Sequence, residues 1–373
     1  PLLLIEEPEA HLHPQRQLRL MQFLAERAGG SGANGENEIQ IILTTHSPNL
    51  ASAIPLDSLV LLHGGKAFTL SRGHTELSPD DYRFLQRFLD VTKANLFFAR
   101  GVMIVEGDAE NILLPTLARL IEMDLSAHGV SIVNVGGVGL RRFARIFQRK
   151  YPEVDGLIKV PVACITDMDV MPDCAPVVVG KTEPFPALKD RRWRMKSDFA
   201  DGELDVRREA IRAKASGQFV DTFVSNDWTL EYDLALHGLA EEVWIAGTLA
   251  RQDEKINEPD KAENIFRVTR AAKAEFRGKQ KACGNAEELA SHVYSLFTNS
   301  PKASKPIAAQ YLSEILEWKV ARGKYDAAAL TELLPSYVTA AVRHATGRGG
   351  VDAPIGEGEV EAAPAEEVAG GPA

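Results

Sequence analysis

The sequence predicts an α/β fold, a mostly parallel sheet flanked by helices, with helical additions towards the C-terminus and a shorter α/β segment in front. Three observations carry this. From residue 102, short apolar runs alternate with helical patterning over 102–105, 108–122, 130–135, 140–150 and 160–166. That βαβαβ order, with right-handed crossovers, builds a parallel sheet. A strand–helix–strand pattern also opens the chain over 2–5, 14–28 and 39–43, and the patterning from about 234 to 344 is helical throughout.

The first segment reads in detail as follows. Residues 2–5 form a continuous apolar run, which suits a strand buried on both faces, and 39–43 repeats the pattern. Pro14 opens the helix between them, and "GGSGANGENE" after it reads as a loop. The runs 59–62 and 67–70 around Gly64-Gly65 predict a hairpin. Ser78-Pro79-Asp80-Asp81 combines an N-cap, a proline at the first helical position and acids in the first turn. The helix it starts, with Tyr82, Leu85, Phe88 and Leu89 on one face, is expected to link two domains. Pro115 lies inside the predicted helix 108–122 and should kink it or mark an irregular early turn. A mixed insertion occupies about 171–225. From 347 onward, Gly, Ala, Pro and Glu dominate, which predicts disorder.

Length and composition set bounds. At 373 residues the chain exceeds what one core sustains, so two or three domains follow. With 45% hydrophobic and 25% charged residues it has the balance of a globular protein. A net charge of −10 excludes a general nucleic-acid sheath but leaves room for a local basic groove. Cys164, Cys174 and Cys283 form no CxxC pair, so a zinc ribbon and a disulfide framework are both excluded, and reduced thiols in the cytoplasm are expected. No apolar run approaches the roughly 20 residues of a membrane span, and the N-terminus has no signal-peptide pattern. The chain starts on Pro1 inside an apparent strand, so it is expected to be part of a longer protein, with an apolar face of residues 1–70 left open.

The stretch "MIVEGDAENILLP" (103–115) raises the chemical question: an apolar strand ends on Glu106, and Glu110 follows one helical turn later. Asp167 and Asp169, in "CITDMDV", stand at the end of the third strand of the same unit. Open α/β sheets bind ligands at the carboxyl ends of their strands. Four carboxylates at one edge repel one another unless a cation neutralises them. An all-oxygen donor set suits Mg²⁺ or Mn²⁺ rather than zinc. A solvated strand-end acid is the simpler reading for any one of these residues; the two motifs together favour metal.

"IVEGDAE" and "ITDMDV" resemble the two acidic motifs of the Toprim domain, the Rossmann-like metal-binding unit of topoisomerases and primases. The resemblance implies that Glu106, Glu110, Asp167 and Asp169 are metal ligands with catalytic roles. "LLLIEEPEAHLHPQ" resembles the Walker B strand of ABC-type ATPases, with Glu6 and Glu7 as its acids, and "ILTTHSPNL" resembles their switch loop, with His46 facing the γ-phosphate. GxxxxGK[ST] does not occur in the chain, so ATP is expected to act only with a further, upstream ATPase half. The pairing of both halves resembles the OLD (overcoming lysogenisation defect) nucleases. That implies a partial ATPase piece over 1–77, a linking helix over 78–99, a Toprim catalytic domain over 100–235, a helical region completing the nuclease over 236–346, and a tail over 347–373. It further implies DNA cleavage or nicking with two divalent ions, a dimer through the ATPase part, no membrane, and a place in anti-phage defence or DNA repair.

The remaining acid and lysine candidates follow from that resemblance, and the basic ones from local charge and spacing. In "WTLEYDLAL", Glu231 is carried over as a metal ligand and Asp233 as a weaker one. In "SPKASKPIAAQYL", Lys305 fits the family's late lysine better than Lys302. For DNA, "LRRFARIFQRK" places Arg142, Arg145 and Arg149 on one helical face after Arg141, and "KDRRWRMK" offers Arg192 beside Arg191, Arg194 and Lys196. A merely solvated basic face is an equal alternative. "GGVG" places Arg142 where a dinucleotide site needs glycine, and "HLHP" provides no third ligand for zinc. Two other functions stay open: an ATP-regulated DNA clamp that binds without cutting, and a topoisomerase- or primase-like enzyme.

Overall fold

The computed structural model describes residues 1–28, 39–256 and 260–348. The loop 29–38 and the tail beyond 348 lie outside the described residues.

The chain opens with β1 (Leu2–Glu6), α1 (Pro14–Ala28) and β2 (Gln40–Thr44), where β1 and β2 pair in parallel. Then come α2 (Pro48–Ala53) and the antiparallel hairpin of β3 (Val60–His63) and β4 (Lys66–Thr69). Gly64 and Gly65 turn that hairpin at φ 56° and 71°, the left-handed backbone that a two-residue loop requires. The expectation of a doubly buried first strand is corrected: Leu2, Leu3 and Leu4 are 55, 42 and 67% exposed. β1 and β2 form a two-stranded ribbon, too narrow to enclose a continuous apolar run.

α3 (Pro79–Phe88) starts at the anticipated cap, where Ser78 and Asp81 exchange side-chain-to-backbone bonds in a capping box. Tyr82, Leu85 and Leu89 are buried, but Phe88 is 43% exposed and stacks on Phe84 instead.

The central unit is β5 (Gly101–Val105), α4 (Asp108–Leu120), β6 (Val130–Asn134), α5 (Leu140–Arg145), α6 (Pro152–Asp155) and β7 (Val162–Thr166). After β8 (Val170–Met171), α7 (Ala175–Val178), β9 (Arg194–Met195) and α8 (Glu203–Arg212), β10 (Val220–Val224) returns to the sheet. The order is β10-β7-β5-β6, with every pairing parallel. α4 continues through Pro115 as one helix. β10 was not foreseen: Asp221 and Thr222 interrupt its apolar run inside a stretch that reads as an insertion.

Period-2 alternation explains two cores. Met103, Val105, Ala163 and Ile165 face one side and join a large helical cluster. Val102, Ile104, Val162 and Cys164 face the other, against Phe143, Ile146, Phe147 and Leu85. The first side is covered by α9 (Leu230–Leu234), α10 (Ala240–Arg251), α11 (Asp253–Ile256), α12 (Lys261–Ala282), α13 (Ala286–Thr298), α14 (Lys305–Ala321), α15 (Ala327–Leu333) and α16 (Ser336–Ala345). α16 lies directly on the sheet: a Cβ on Gly101 would sit 2.0 Å from the Ala345 carbonyl oxygen.

The helix predicted over 140–150 is also corrected, since α5 stops at Arg145. Residues 146 and 147 form a turn, and Arg149 forms an isolated bridge with Thr75. Arg142, Arg145 and Arg149 therefore share no helix face.

Candidate metal centre

Each acid of the cluster is placed by an element that ends or begins at the carboxyl edge of the sheet. Glu106 follows the last residue of β5, and α4 starts two residues later, which sets Glu110 on its first turn. Asp167 follows the last residue of β7. Glu231 lies in the first turn of α9, and Lys305 is the first residue of α14.

Lys305 Nζ donates to Glu231 Oε2 at 2.8 Å and lies 5.4 Å from the centre of the Tyr294 ring. Lys302 is exposed, one helical turn outside. The structure thus brings Lys305, rather than Lys302, to the acids.

Electrostatics give the cluster its character. Burial pushes the Glu106 carboxyl up, the charge of Asp169 adds to this, and the Thr166 hydroxyl opposes it by donating a hydrogen bond. Burial likewise raises Glu110, helped by Glu231 and Glu106 and opposed by Lys305. Asp167 is raised furthest of the three, by burial and then by Glu231, Glu110 and Asp169, again against Lys305. Burial would lower Lys305, but the surrounding carboxylates, Glu231 foremost, override it and raise the ammonium. Lys305 acts on Glu110, Asp167 and Glu231, while Glu106 and Asp169 complete the five acids. Asp169 is the outermost of these, exposed and held at φ 57°, with its N–H donated to the Trp228 carbonyl at 3.2 Å.

Two residues that the sequence did not single out hold the edge together. Ser225, just past β10, is fully buried; its hydroxyl accepts the Met168 N–H at 2.7 Å and donates to the Trp228 carbonyl at 3.0 Å. Its own N–H bonds the Thr166 carbonyl at 2.9 Å. The loops after β7 and β10 are therefore stitched into one surface. Tyr294 flanks Lys305 and packs on Trp228 with ring centres 4.3 Å apart. A serine in "FVSNDW" carries no sequence signal; only strand pairing reveals it.

Asp233 does not join the cluster as a ligand. It is fully buried and accepts the N–H groups of Asp227 and Trp228 at 3.1 and 3.0 Å. Burial, opposed by those bonds, pushes its carboxyl up to about 7.

The donor set fits a hard divalent cation: oxygens only, several carboxylates held at raised proton affinity, and one ammonium as partial counter-charge. Among the described residues, no three of these acids bring their oxygens all within 4.8 Å of one another, so water and phosphate oxygens would complete any shell.

The basic residues read for DNA sort differently. Arg149 is 1% exposed, bonds the Thr69 carbonyl at 2.6 Å and pairs with Asp155 at 3.3 Å. Its charge serves the interior, so the phosphate reading is corrected. Arg142 pairs with Asp81 at 2.9 Å and stacks on Phe84. Arg191 pairs with Asp198, and Lys196 bridges Asp227 and Glu287 at 3.0 and 2.6 Å. Arg192 is exposed and Arg145 half-buried, and neither makes an ion pair with a described residue.

In the N-terminal segment, Glu6 closes β1 and Glu7 follows it at φ 42°. His46, two residues past β2, has Nε2 3.6 Å from Glu7 Oε1. Glu9, which the sequence reading passed over, accepts from the Thr45 hydroxyl at 2.6 Å and the His46 N–H at 2.9 Å. Burial would raise its carboxyl, but those bonds outweigh it and lower the pKa.

Two segments of the chain match known domain families. Residues 97–169 match the family model of the overcoming lysogenization defect protein-like Toprim domain, and residues 1–52 match an AAA domain model whose description also names the AbiEii toxin and type IV TA systems. An OLD nuclease of Thermus scotoductus is 26% identical over 180 residues, covering 46% of this chain and 31% of that protein. The Endonuclease GajA of Bacillus cereus strain VD045 is 27% identical over 136 residues, covering 36% of this chain and 22% of that protein. The chain thus spans less than a third of the length of these relatives. Among solved structures, the C-terminal region of the Burkholderia pseudomallei OLD protein aligns with 68% of this chain and 99% of its own, at 21% identity and a TM-score of 0.36. Residues 97–169 thus match an OLD-like Toprim domain, and residues 1–52 ahead of them match an AAA domain.

Proposed function

We propose that the chain is the DNA-cleaving part of an ATPase-coupled nuclease, a hydrolase that cuts or nicks phosphodiester bonds with Mg²⁺ or Mn²⁺. The observation that carries this reading is the gathering of Glu106, Glu110, Asp167, Asp169 and Glu231 at one sheet edge, with Lys305 as the cation among them. The names of the nuclease relatives support the same substrate class.

In this reading Glu106, Glu110, Asp167, Asp169 and Glu231 hold the ions. Two bound divalent ions would supply the activated water and offset charge on the leaving oxygen. Lys305, tethered by Glu231, is placed to meet a scissile phosphate, where an ammonium offsets the charge that develops in the transition state. Ser225 keeps the β7 and β10 loops in register, so that Asp167 and Glu231 face one space. Arg145 and Arg192 are the candidates for backbone phosphates, with Arg142 contributing only if it leaves Asp81.

The segment 1–77 is proposed as part of the ATPase domain, with Glu6, Glu7 and His46 serving ATP alongside a phosphate-cradling half outside this chain. Residues 78–99 link it to the Toprim unit of 100–235, and 236–346 completes the nuclease. Dimerisation through the ATPase part, a cytoplasmic location and a role in phage defence or DNA repair belong to the same proposal. No described helix is long and apolar enough to cross a membrane.

The test is incubation of the chain with supercoiled plasmid and Mg²⁺ or Mn²⁺, with EDTA as control. Metal-dependent nicked or linear product is expected. Plasmid left intact under both ions would sink the reading of a self-sufficient nuclease centre.

A further inference from the structure

Away from the sheet edge, the turn between α12 and α13 brings three different ligand types together. Cys283 caps the end of α12, and Glu288 and His292 lie on α13. Spacing of four residues puts Glu288 and His292 on the same face of that helix. A thiol sulfur, a carboxylate oxygen and a ring nitrogen from these residues all lie within 4.8 Å of one another. Among the described residues this is the single group of His, Cys, Asp and Glu side chains that closes so tightly.

The turn is already built in this form. Asn285 caps α13 by accepting the Glu288 N–H at 2.8 Å, and Glu288 Oε2 accepts the Gly284 N–H at 2.7 Å. Glu288 keeps a second oxygen for another partner. All three side chains are partly accessible, so an ion could enter from solvent.

We propose that Cys283, Glu288 and His292 form a binding site for a zinc-class divalent cation, separate from the Toprim acids. One sulfur, one nitrogen and one oxygen make a borderline-soft set, which suits Zn²⁺ or Co²⁺ and not Mg²⁺. Three protein ligands leave a fourth position for water. Cys174 lies close enough for its charge to raise the Cys283 thiol.

Proton affinities bear on occupancy. Burial lowers His292, and Lys279 lowers it further against Glu288, a direction that favours the neutral ring. Lys279 opposes a cation at Cys283 or His292 and sets a limit on affinity.

The consequence is a staple between two helices. α12 buries Val268, Ala272 and Phe276 along its length, and the metal would fix its last turn to the start of α13. α13 also carries Tyr294, beside Lys305, and Glu287, which holds Lys196. The site therefore braces the helix that backs the acid cluster without contributing to it.

The experiment uses the full chain, reduced and stripped of metal, titrated with Co²⁺ and read by absorption. One equivalent should produce a thiolate-to-cobalt charge-transfer band with tetrahedral d–d bands, and Zn²⁺ should displace both. Cys283→Ser should abolish the charge-transfer band, and His292→Gln should weaken Co²⁺ affinity at least about tenfold, a cost typical even of outer-shell changes. Asp167→Asn should leave the band unaltered. A band that survives Cys283→Ser, a band lost in Asp167→Asn, or no thiolate band in the reduced wild type would each overturn the proposal.

Discussion

Lys305→Met removes the ammonium while keeping most of the apolar stem. Lys305 Nζ lies 2.8 Å from Glu231 Oε2, and the two side chains are 40 and 12% exposed. At an effective dielectric of about 20 the pair's attraction is about 6 kcal/mol before desolvation is subtracted. Breaking a buried pair costs about 3–5 kcal/mol, whereas exposed pairs contribute about 0–1. With one partner well exposed to solvent, a net loss of about 2 kcal/mol is expected. The assay is urea unfolding followed by tryptophan fluorescence, which Trp228 reports from the site itself. In EDTA the variant should lose about that amount. In Mg²⁺ the loss should shrink below about 1 kcal/mol, because a cation that binds only the folded state takes over the missing neutralisation. Cleavage should stay absent in both. A variant as stable as the wild type in EDTA, or one that gains no more from Mg²⁺ than the wild type, would refute the reasoning.

Four further outcomes follow. Glu106, Glu110 and Asp167 have folded pKa values above their ordinary ones, so their contribution to stability is largest at acid pH and falls as pH climbs through the raised values. With buried Asp233 adding to them, the metal-free protein should lose stability as pH rises from the ordinary carboxylate range through these raised values, while stabilisation by Mg²⁺ grows over the same window, both readable from thermal melts in matched buffers. Asp233→Asn should flatten the part of that fall lying between its ordinary value of 3.8 and its folded value of about 7, at a cost of about 1 kcal/mol for one lost N–H acceptor. Arg149→Met should destabilise by about 3–5 kcal/mol yet leave DNA affinity per folded molecule unaltered in a binding titration, since its guanidinium faces Thr69 and Asp155. Gly139→Ala should cost about 2–4 kcal/mol in chemical unfolding, because φ is 95° and its Cβ would meet the Phe84 ring at 2.8 Å.

The acids were legible because their signal is local. An apolar run that ends in VEG or TD places a carboxylate at a strand end, and parallel pairing of β5 with β7 brings the two ends together. Glu231 and Lys305 have no local pattern of their own. They rested on family resemblance, and the structure joins them across 74 residues by one hydrogen bond. β10, Ser225 and the buried roles of Arg149 and Asp233 were not legible. A five-residue strand containing Asp221 and Thr222 lacks a strand's pattern, and whether an arginine faces phosphate or a buried carbonyl is decided by residues far along the chain. The exposure of β1 shows the reverse error, since a continuous apolar run gives a strand's composition but not what covers it.

The most direct measurement pairs Mn²⁺ binding with plasmid cleavage in the wild type and in Asp167→Asn and Glu106→Ala, each verified as folded by circular dichroism. The account predicts that both variants lose cleavage and bind Mn²⁺ at least about tenfold more weakly. Cleavage at the wild-type rate in either folded variant would contradict the assignment of the centre to the ends of β5 and β7.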